Sequence, residues 1–554
     1  MKTYVIQIHS SDYSSWEIYD NSLGEPYTNI AGSVDIDPVK CRLFSRDTFF
    51  YEADVFTLDR SSIRAGETIA GVLILEQNKT FGRTKNKKRL LYRCIPNNRE
   101  LPAFLVPYDP SVSFSKIQKN KYVTFVFDQW ENTHPQGLLT NVIGDVDVLE
   151  NYYEYQMFSK GLHTSMKDFT EKVRDAFRNT SVEAWVEKMR EKYTLEDRTH
   201  RRDIFSIDGE NCQDIDDAVS IRETGENIYT VSVYIANVAL WIEALGAWPL
   251  FTDRVSTIYL PHQKYGMLPN LLSDDICSLR EGRDRVAFAT DIVISATDGC
   301  ILSTSFHNVL IRVSKNYVYE EPSLRDNPVY TRMYELTRKI SDINTSAELI
   351  SFWMVKTNTV CGEHMKMNEV GIFRATEKNE NIHAHAAIQQ EWAGYSGKYV
   401  LYSTDVVHEV MKITHYIHIT SPIRRLVDFL NQIAFVRLYL ALSTESFNYL
   451  ENWKSKMDSL NDSMRKIKKG QNESWLLYHF YKDPNIIGRN HYGRIVDKKM
   501  SGGIFKYSVY LAEYRLFTSF KTNEILEPSC VISFRLYLFE SEHEVKRKVR
   551  IEMS

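Results

Sequence analysis

FSIDGENCQDIDDAVSI, residues 205–221, decides how the chain is read. Short apolar runs flank an acidic turn that carries Asp208, Glu210, Asp214, Asp216 and Asp217. Carboxylates crowded between strand-like segments repel one another and raise one another's pKa unless a cation sits among them. An all-oxygen set suits Mg²⁺ or Mn²⁺, and no Cys/His cluster competes as a zinc site. Asp214 and Asp216 flank Ile215, so in extended backbone both face one way, with Asp217 facing the opposite way or beginning a bend. Asp208 lies upstream, behind a turn containing Gly209, and can fold back to the same spot. Two metal ions about 4 Å apart, held by these carboxylates, would activate a water and neutralise a phosphodiester. On spacing alone, an acidic surface loop or a calcium loop remains an equal reading.

A second cluster lies downstream in KITHYIHITSPIRRLVDFLNQ, residues 412–432. Pro422 is expected to interrupt or start a helix, with Arg424 and Arg425 at its first turn. Arginines at a helix start meet a phosphate chain with fork geometry and a favourable dipole. Asp428 falls one helical turn beyond Arg424 and would brace that guanidinium; an ordinary ion pair is the plain alternative. His415 and His418 read as packing residues, because no acidic third ligand is local, and His262 is given no chemistry. There is no Walker loop, HExxH or GxSxG, which argues against an ATPase, a metalloprotease and an esterase.

The chain of 554 residues has room for three or four domains. With 68 Lys and Arg against 72 Asp and Glu, the net charge of −4 excludes a histone-like binder, though not a local positive channel. Seven scattered cysteines without a CxxC pair fit a reducing, intracellular compartment, the cytoplasm. No signal peptide, presequence or membrane span is legible. Most of the 33 tyrosines are assigned to strands and core edges, a few to base stacking. Residues 1 to about 150 read as β and divide near residue 65 into two small barrels, the usual scaffold for single-stranded nucleic acid. Within them the basic segment Gly82–Arg89 reads as an exposed loop, either a solvated hairpin tip or a phosphate contact. Amphipathic helices follow in FTEKVRDAF and SVEAWVEKMREKY, then a mixed α/β region with long helices at Ser346–Met365 and Asp428–Leu442. The basic run Arg465–Lys469 reads as surface. From about residue 488 five strand-like runs suggest one more small barrel.

FSIDGENCQDIDDAVSI resembles the signature of the RNase II family, whose catalytic module is the RNB domain. Residues 258–289 (IYLPHQKYGMLPNLLSDDICSLREGRDRVAFA), 348–358 (ELISFWMVKTN) and 415–429 (HYIHITSPIRRLVDF) agree in order and spacing. AFLVPYD, FVFDQW, HPQGLLTNVIGDVDVLE and YEYQMFSKGL resemble the second cold-shock barrel of its eukaryotic, exosome-subunit branch. The resemblance implies a multidomain chain: cold-shock (OB-type) β-barrels at 1–64 and 65–155, a central α/β RNB catalytic domain with a leading helical linker at 156–485, and an S1 (OB-type) β-barrel at 486–554. It implies processive 3′→5′ hydrolysis of single-stranded RNA to nucleoside 5′-monophosphates. Asp208, Asp214, Asp216 and Asp217 would share Mg²⁺ or Mn²⁺, with Asp216 nearest the attacking water. Tyr259 would stack on a base near the 3′ end, Arg424 would steady the scissile phosphate, Arg425 and Arg374 would be further phosphate contacts, and Asp428 would be structural support.

The chain departs from the family pattern in several places. FRATEK lacks a histidine after Arg374, Gln432 stands in place of another histidine, and Thr357 replaces a small alanine. The spacing from Trp241 to Tyr259 is short. These changes bear on wall shape, rate and processivity, and none removes an expected metal ligand. No PIN domain is legible, so a free-standing monomer is expected rather than docking to an exosome ring, and a helicase partner is left open. The competing readings are a non-catalytic single-stranded RNA-binding protein on the RNB fold, and an adaptor whose acidic cluster is incidental.

Overall fold

The computed structural model describes residues 3–554 except 21–27, 30–35, 53–54, 110–117, 252, 377–387, 389–391, 393, 404–406, 410, 484 and 528. At the N-terminus, TYVIQI (Thr3–Ile8) alternates half-buried and buried positions, the period-2 signature of a strand with one wet face. It pairs with Trp16–Asp20 and Thr48–Glu52 in a five-stranded antiparallel sheet. The next five strands, Ile69–Leu73, Leu90–Pro96, Phe104–Tyr108, Lys121–Gln129 and Gln136–Asp145, form a closed barrel. Its last closing contact is the parallel pairing of Gln136 with Leu105. Sheet and barrel share one core, in which Phe44 stacks on Phe104 at 5.8 Å between ring centroids.

Helices Leu149–Ser159, Lys167–Arg178 and Val182–Tyr193 lead into the central region. The last is capped by Ser181, whose side chain accepts the Ala184 amide, and ends on left-handed Thr194. The central sheet has seven strands in the order Glu196–Asp197, Ile301–Arg312, Asp284–Ser295, Ile228–Ala236, Asp217–Gly225, Phe205–Asp208 and Lys315–Val318. Alternation splits its side chains between two cores. Phe205, Ile207, Val219 and Ile221 pack under helices Pro328–Ile340 and Ser346–Met367, while Ala218, Tyr234 and Ala236 face helix Leu426–Val436. Helix Ser346–Met367 opens with a capping box between Thr345 and Glu348.

Every residue of helix Leu426–Val436 is buried. Phe429 stacks on Phe251 at 4.7 Å between centroids. Arg425 is still extended (φ −141°, ψ 119°), so the helix begins one residue later and neither arginine lies in its first turn. The sequence expectation is corrected here: the proline comes too early to serve as the first helical residue.

After helices Thr444–Ser455 and Met457–Lys482, the chain ends in a five-stranded antiparallel sheet from His491 to Met553. Among the described residues the pairings of this sheet and of the N-terminal one form open ladders, and the closed barrel is that of residues 69–145. Tyr152 ties the linker helix to this sheet, donating to the Arg547 carbonyl at 2.6 Å and accepting the Arg547 amide at 2.9 Å. Among the described residues no helix is long and apolar enough to cross a membrane.

Candidate active site at an acidic cavity

Strand Phe205–Asp208 is held by a parallel partner, Lys315–Val318, which places Asp208 at its open end beside Val318. The loop then turns through Gly209 and left-handed Asn211 (φ +62°), with the Cys212 amide returning to the Gly209 carbonyl at 3.1 Å. Ser278 fastens the returning limb: its hydroxyl accepts the Ile215 amide at 3.1 Å and donates to the Gln213 carbonyl at 2.7 Å. Ile215 is buried beneath the loop, which turns Asp214 and Asp216 away from the core. Asp217 opens the next strand opposite Ile235. All four expected aspartates, Asp208, Asp214, Asp216 and Asp217, line one cavity of about 530 Å³ with Glu210, Cys212, Tyr259, Lys264, Tyr319 and Arg424. Asp217, read as facing the opposite way or beginning a bend, thus joins the others.

The arginine segment reaches this cavity because residues 255–257 run alongside residues 424–426. The Thr257 amide donates to the Arg424 carbonyl at 2.9 Å, and the Leu426 amide to Val255 at 3.0 Å. Asn358 fixes the approach by accepting the Ile419 amide at 2.9 Å and donating to Tyr416 Oη at 3.1 Å. Asp216, only 1% exposed, accepts the Ile423 amide at 2.8 Å on Oδ1 and Arg424 Nε at 3.0 Å on Oδ2. Arg424 keeps 47% of its side chain exposed to the cavity and also donates to Ser421 Oγ at 2.9 Å.

Asp428 braces the neighbouring arginine. Its Oδ1 accepts Arg425 Nη2 at 2.9 Å and the Ser421 amide at 2.8 Å, so the expected pairing with Arg424 is replaced by one with Arg425. The helical spacing assumed for Arg424 and Asp428 fails because Arg424 precedes the helix. Arg425 and Arg374, read as further phosphate contacts, do not line the cavity. Arg374 is buried, donates to the Gly394 carbonyl at 3.0 Å and lies 4.7 Å over the Tyr399 ring.

Tyr259 is 37% exposed, with its backbone held on both sides by helix Met457–Lys482: its amide donates to Gln471 Oε1 at 3.2 Å, and Trp475 Nε1 donates to its carbonyl at 3.1 Å. Its hydroxyl donates to Asp214 Oδ2 at 3.0 Å. Lys264 Nζ reaches Asp214 Oδ1 at 3.2 Å and Asp274 Oδ1 at 2.8 Å. Tyr319 enters next to Asp208, whose carbonyl accepts its amide at 3.0 Å. Lys264 and Tyr319 were not singled out from the sequence; a short hairpin with Tyr259 brings in the first, and long-range strand pairing, which leaves no local pattern, the second.

Of the substituted positions, Gln432 accepts the Ala239 amide at 3.0 Å and donates to the Ala236 carbonyl at 2.9 Å, a purely structural clamp. Thr357 is buried, with Oγ1 lacking a hydrogen-bond partner. His415 packs edge-on against Phe373, in keeping with the packing role read for it. The basic loop Gly82–Arg89 is exposed for most of its length, with Lys85 on Glu131 at 2.9 Å and Arg89 on Asp109 at 3.1 Å.

Burial sets the electrostatics. It pushes Asp208 up to about 6. It pushes Asp216 up to about 7, against the pull of Arg424 and the Ile423 amide. Asp217 is held well above the carboxylate range by burial and by its neighbours Asp208 and Asp216. Lys264 moves the other way from what burial dictates: burial lowers it, but the Asp274 hydrogen bond and the Asp214 charge raise it above the usual lysine value. Among the described residues no three His, Cys, Asp or Glu side chains are drawn into a coordination arrangement. The donor chemistry nevertheless fits a hard divalent cation. The set is oxygen-only, and Asp208 Oδ2 is buried without a hydrogen-bond partner.

Residues 196–324 match the RNB domain family. Ribonuclease R of Chlamydia pneumoniae is 24% identical over 390 residues, 54% of this chain and 57% of that protein. Ribonuclease R of Mycoplasmopsis pulmonis is 30% identical over 219 residues (39% and 28%), and the probable exosome complex exonuclease RRP44 of Caenorhabditis elegans 28% over 245 (43% and 24%). In each case the match spans less than two thirds of the relative's length. Among solved structures, Mycoplasma genitalium RNase R in complex with ribose-methylated single-stranded RNA superposes with a TM-score of 0.67 at 15% identity, covering 99% of this chain and 100% of that one. Yeast Ssd1, a pseudonuclease, reaches 0.54 at 12% identity, covering 96% and 80%. These likenesses establish a shared fold.

Proposed function

We propose that this chain, whose residues 196–324 match the RNB domain family, is an RNB-type exoribonuclease that degrades single-stranded RNA processively from the 3′ end, by divalent-metal-dependent hydrolysis that releases nucleoside 5′-monophosphates. The observation that carries this reading is the convergence of Asp208, Asp214, Asp216, Asp217, Tyr259 and Arg424 on one cavity. The four aspartates would hold Mg²⁺ or Mn²⁺, which when bound supplies charge neutralisation and water activation. Asp216, oriented by Ile423 and Arg424, is the carboxylate fixed most firmly toward the reacting phosphate. Arg424 is anchored through Nε, with a side chain that lines the cavity and can meet a phosphoryl oxygen without losing its Asp216 bond. Tyr259 offers an exposed ring on a rigid backbone, and stacking on it is indifferent to base identity. Arg425, braced by Asp428, and Arg374, over Tyr399, act at one remove by holding the wall.

The flanking β modules, 1–64, 65–155 and 486–554, are assigned to guiding the strand, as cold-shock-like and S1-like OB folds around a catalytic unit at 156–485. The chain is assigned to work as a monomer.

A second reading, an RNA-binding protein on the same fold without catalysis, draws on a specific observation: Arg424 and Lys264 already occupy Asp216 and Asp214. Incubation of 5′-labelled single-stranded RNA with the protein and Mg²⁺ or Mn²⁺ separates the two. Progressive shortening that a chelator stops supports hydrolysis; full-length RNA held in a stable complex under every metal supports binding alone.

A further inference from the structure

Lys264 is a cation built into the acidic cavity. Its strand, Lys264–Tyr265, pairs antiparallel with Ile258–Tyr259, and Lys264 is the direct cross-strand partner of Tyr259. Direct partners project from the same face of a strand pair, so the two side chains travel together. Both end on one carboxylate: Tyr259 Oη donates to Asp214 Oδ2 at 3.0 Å and Lys264 Nζ to Oδ1 at 3.2 Å. The ammonium is gripped a second time by Asp274 Oδ1 at 2.8 Å, which also accepts Ser273 Oγ at 2.6 Å. Lys264 is 23% exposed and Asp214 8%, so this contact is not a solvated surface pair that water dissolves.

The charges of the cavity then divide into two sets. Asp214 is paired with Lys264, which it shares with Asp274, and Asp216 with Arg424, each through a fixed protein cation. Asp208 and Asp217 have no such ion-pair partner among the described residues, and Asp208 Oδ2 is buried with no hydrogen-bond donor. Glu210 sits on the exposed rim. Two uncompensated carboxylates carry the charge of one divalent ion, not two.

We propose that Lys264 takes the place of a second divalent cation in the acidic cavity, so that the chain binds a single divalent ion, at Asp208 and Asp217, while Asp214 is held by the ammonium instead of a metal. The inference rests on the reading that this cavity holds a metal. Lys264 is a positioning residue here: it acts through Asp214 and Tyr259.

Isothermal titration of the full-length chain with Mn²⁺, without RNA, reads the stoichiometry directly. The expected result is one ion per chain for wild type, none for Asp208→Asn, one for Lys264→Arg, which keeps the charge, and two for Lys264→Met, which removes it. Two ions on wild type would overturn the inference while leaving the metal-dependent nuclease reading intact. One ion on a Lys264→Met protein whose circular dichroism matches wild type would overturn it as well. No ion on wild type would overturn both the inference and the metal reading it rests on.

Discussion

Asp216 is the most deeply buried of the four aspartates, and its replacement by Asn separates the cost of the site from its use. Burial lifts its pKa from 3.8 to about 7, even with Arg424 and the Ile423 amide pulling it down. A group whose folded pKa is raised contributes stability at low pH and loses it as pH rises through the folded value. At about 1.4 kcal/mol per unit, the ionised carboxylate therefore costs the metal-free protein up to about 4 kcal/mol at pH 8. Asn matches the carboxyl in shape and its Oδ1 still accepts the Ile423 amide, but its NH2 then faces Arg424 Nε, a donor, and that hydrogen bond is given up. Metal-free Asp216→Asn is expected to be the more stable protein at pH 8, by less than that figure because the Arg424 hydrogen bond is lost. The advantage shrinks as pH falls through about 7 and vanishes near 4. Urea unfolding in EDTA at several pH values, followed by circular dichroism with the slopes held comparable, measures it. RNA hydrolysis by the variant should fall at least about a hundredfold. A variant less stable than wild type at pH 8 in EDTA would show that the Arg424 ion pair outweighs the burial cost, and would refute this account of the site's electrostatics.

Three further outcomes follow from the same geometry. Arg424→Lys keeps the charge but loses the fork that binds Asp216 and Ser421, so kcat on single-stranded RNA should drop roughly a hundredfold in a single-turnover assay while RNA affinity changes little. Tyr259→Phe loses one hydrogen bond to Asp214 and keeps its ring, whereas Tyr259→Ala should weaken binding of a short oligonucleotide by about 1–3 kcal/mol, read by fluorescence anisotropy. Gln432→Leu leaves the Ala239 amide and the Ala236 carbonyl without their buried partner; unfolding should show a loss of about 2–5 kcal/mol, with little change in metal affinity.

The acidic loop was legible because its composition is costly without a purpose, and Ile215 between two aspartates put both on one side. For Asp217 the alternation left two options, the opposite face or a bend, and the junction where the loop joins a new strand opposite Ile235 brings it to the cavity. The pairing of Arg424 with Asp428 was misread. Helical spacing was applied across Arg425, whose extended backbone lies before the first turn, and that one residue hands Arg424 to Asp216 and Arg425 to Asp428. Lys264 was reachable only through the two-residue hairpin strands it shares with Tyr259, which are too short to show a period, and Tyr319 only through the parallel register of residues 205–208 with 315–318. The β-strands of the flanking modules were readable from alternation. Barrel closure was not, because in the closed example it depends on a single parallel pairing, Gln136 with Leu105, between strands far apart in sequence.

The central claim is that the acidic cavity lined by the four aspartates holds a cation at the place where RNA is cut. An anomalous difference map from crystals of the Mn²⁺-soaked protein tests it most directly. The account predicts a Mn²⁺ peak in the cavity bounded by Asp208, Asp217, Tyr259 and Arg424; an empty cavity at saturating Mn²⁺, or a peak only elsewhere on the chain, contradicts it.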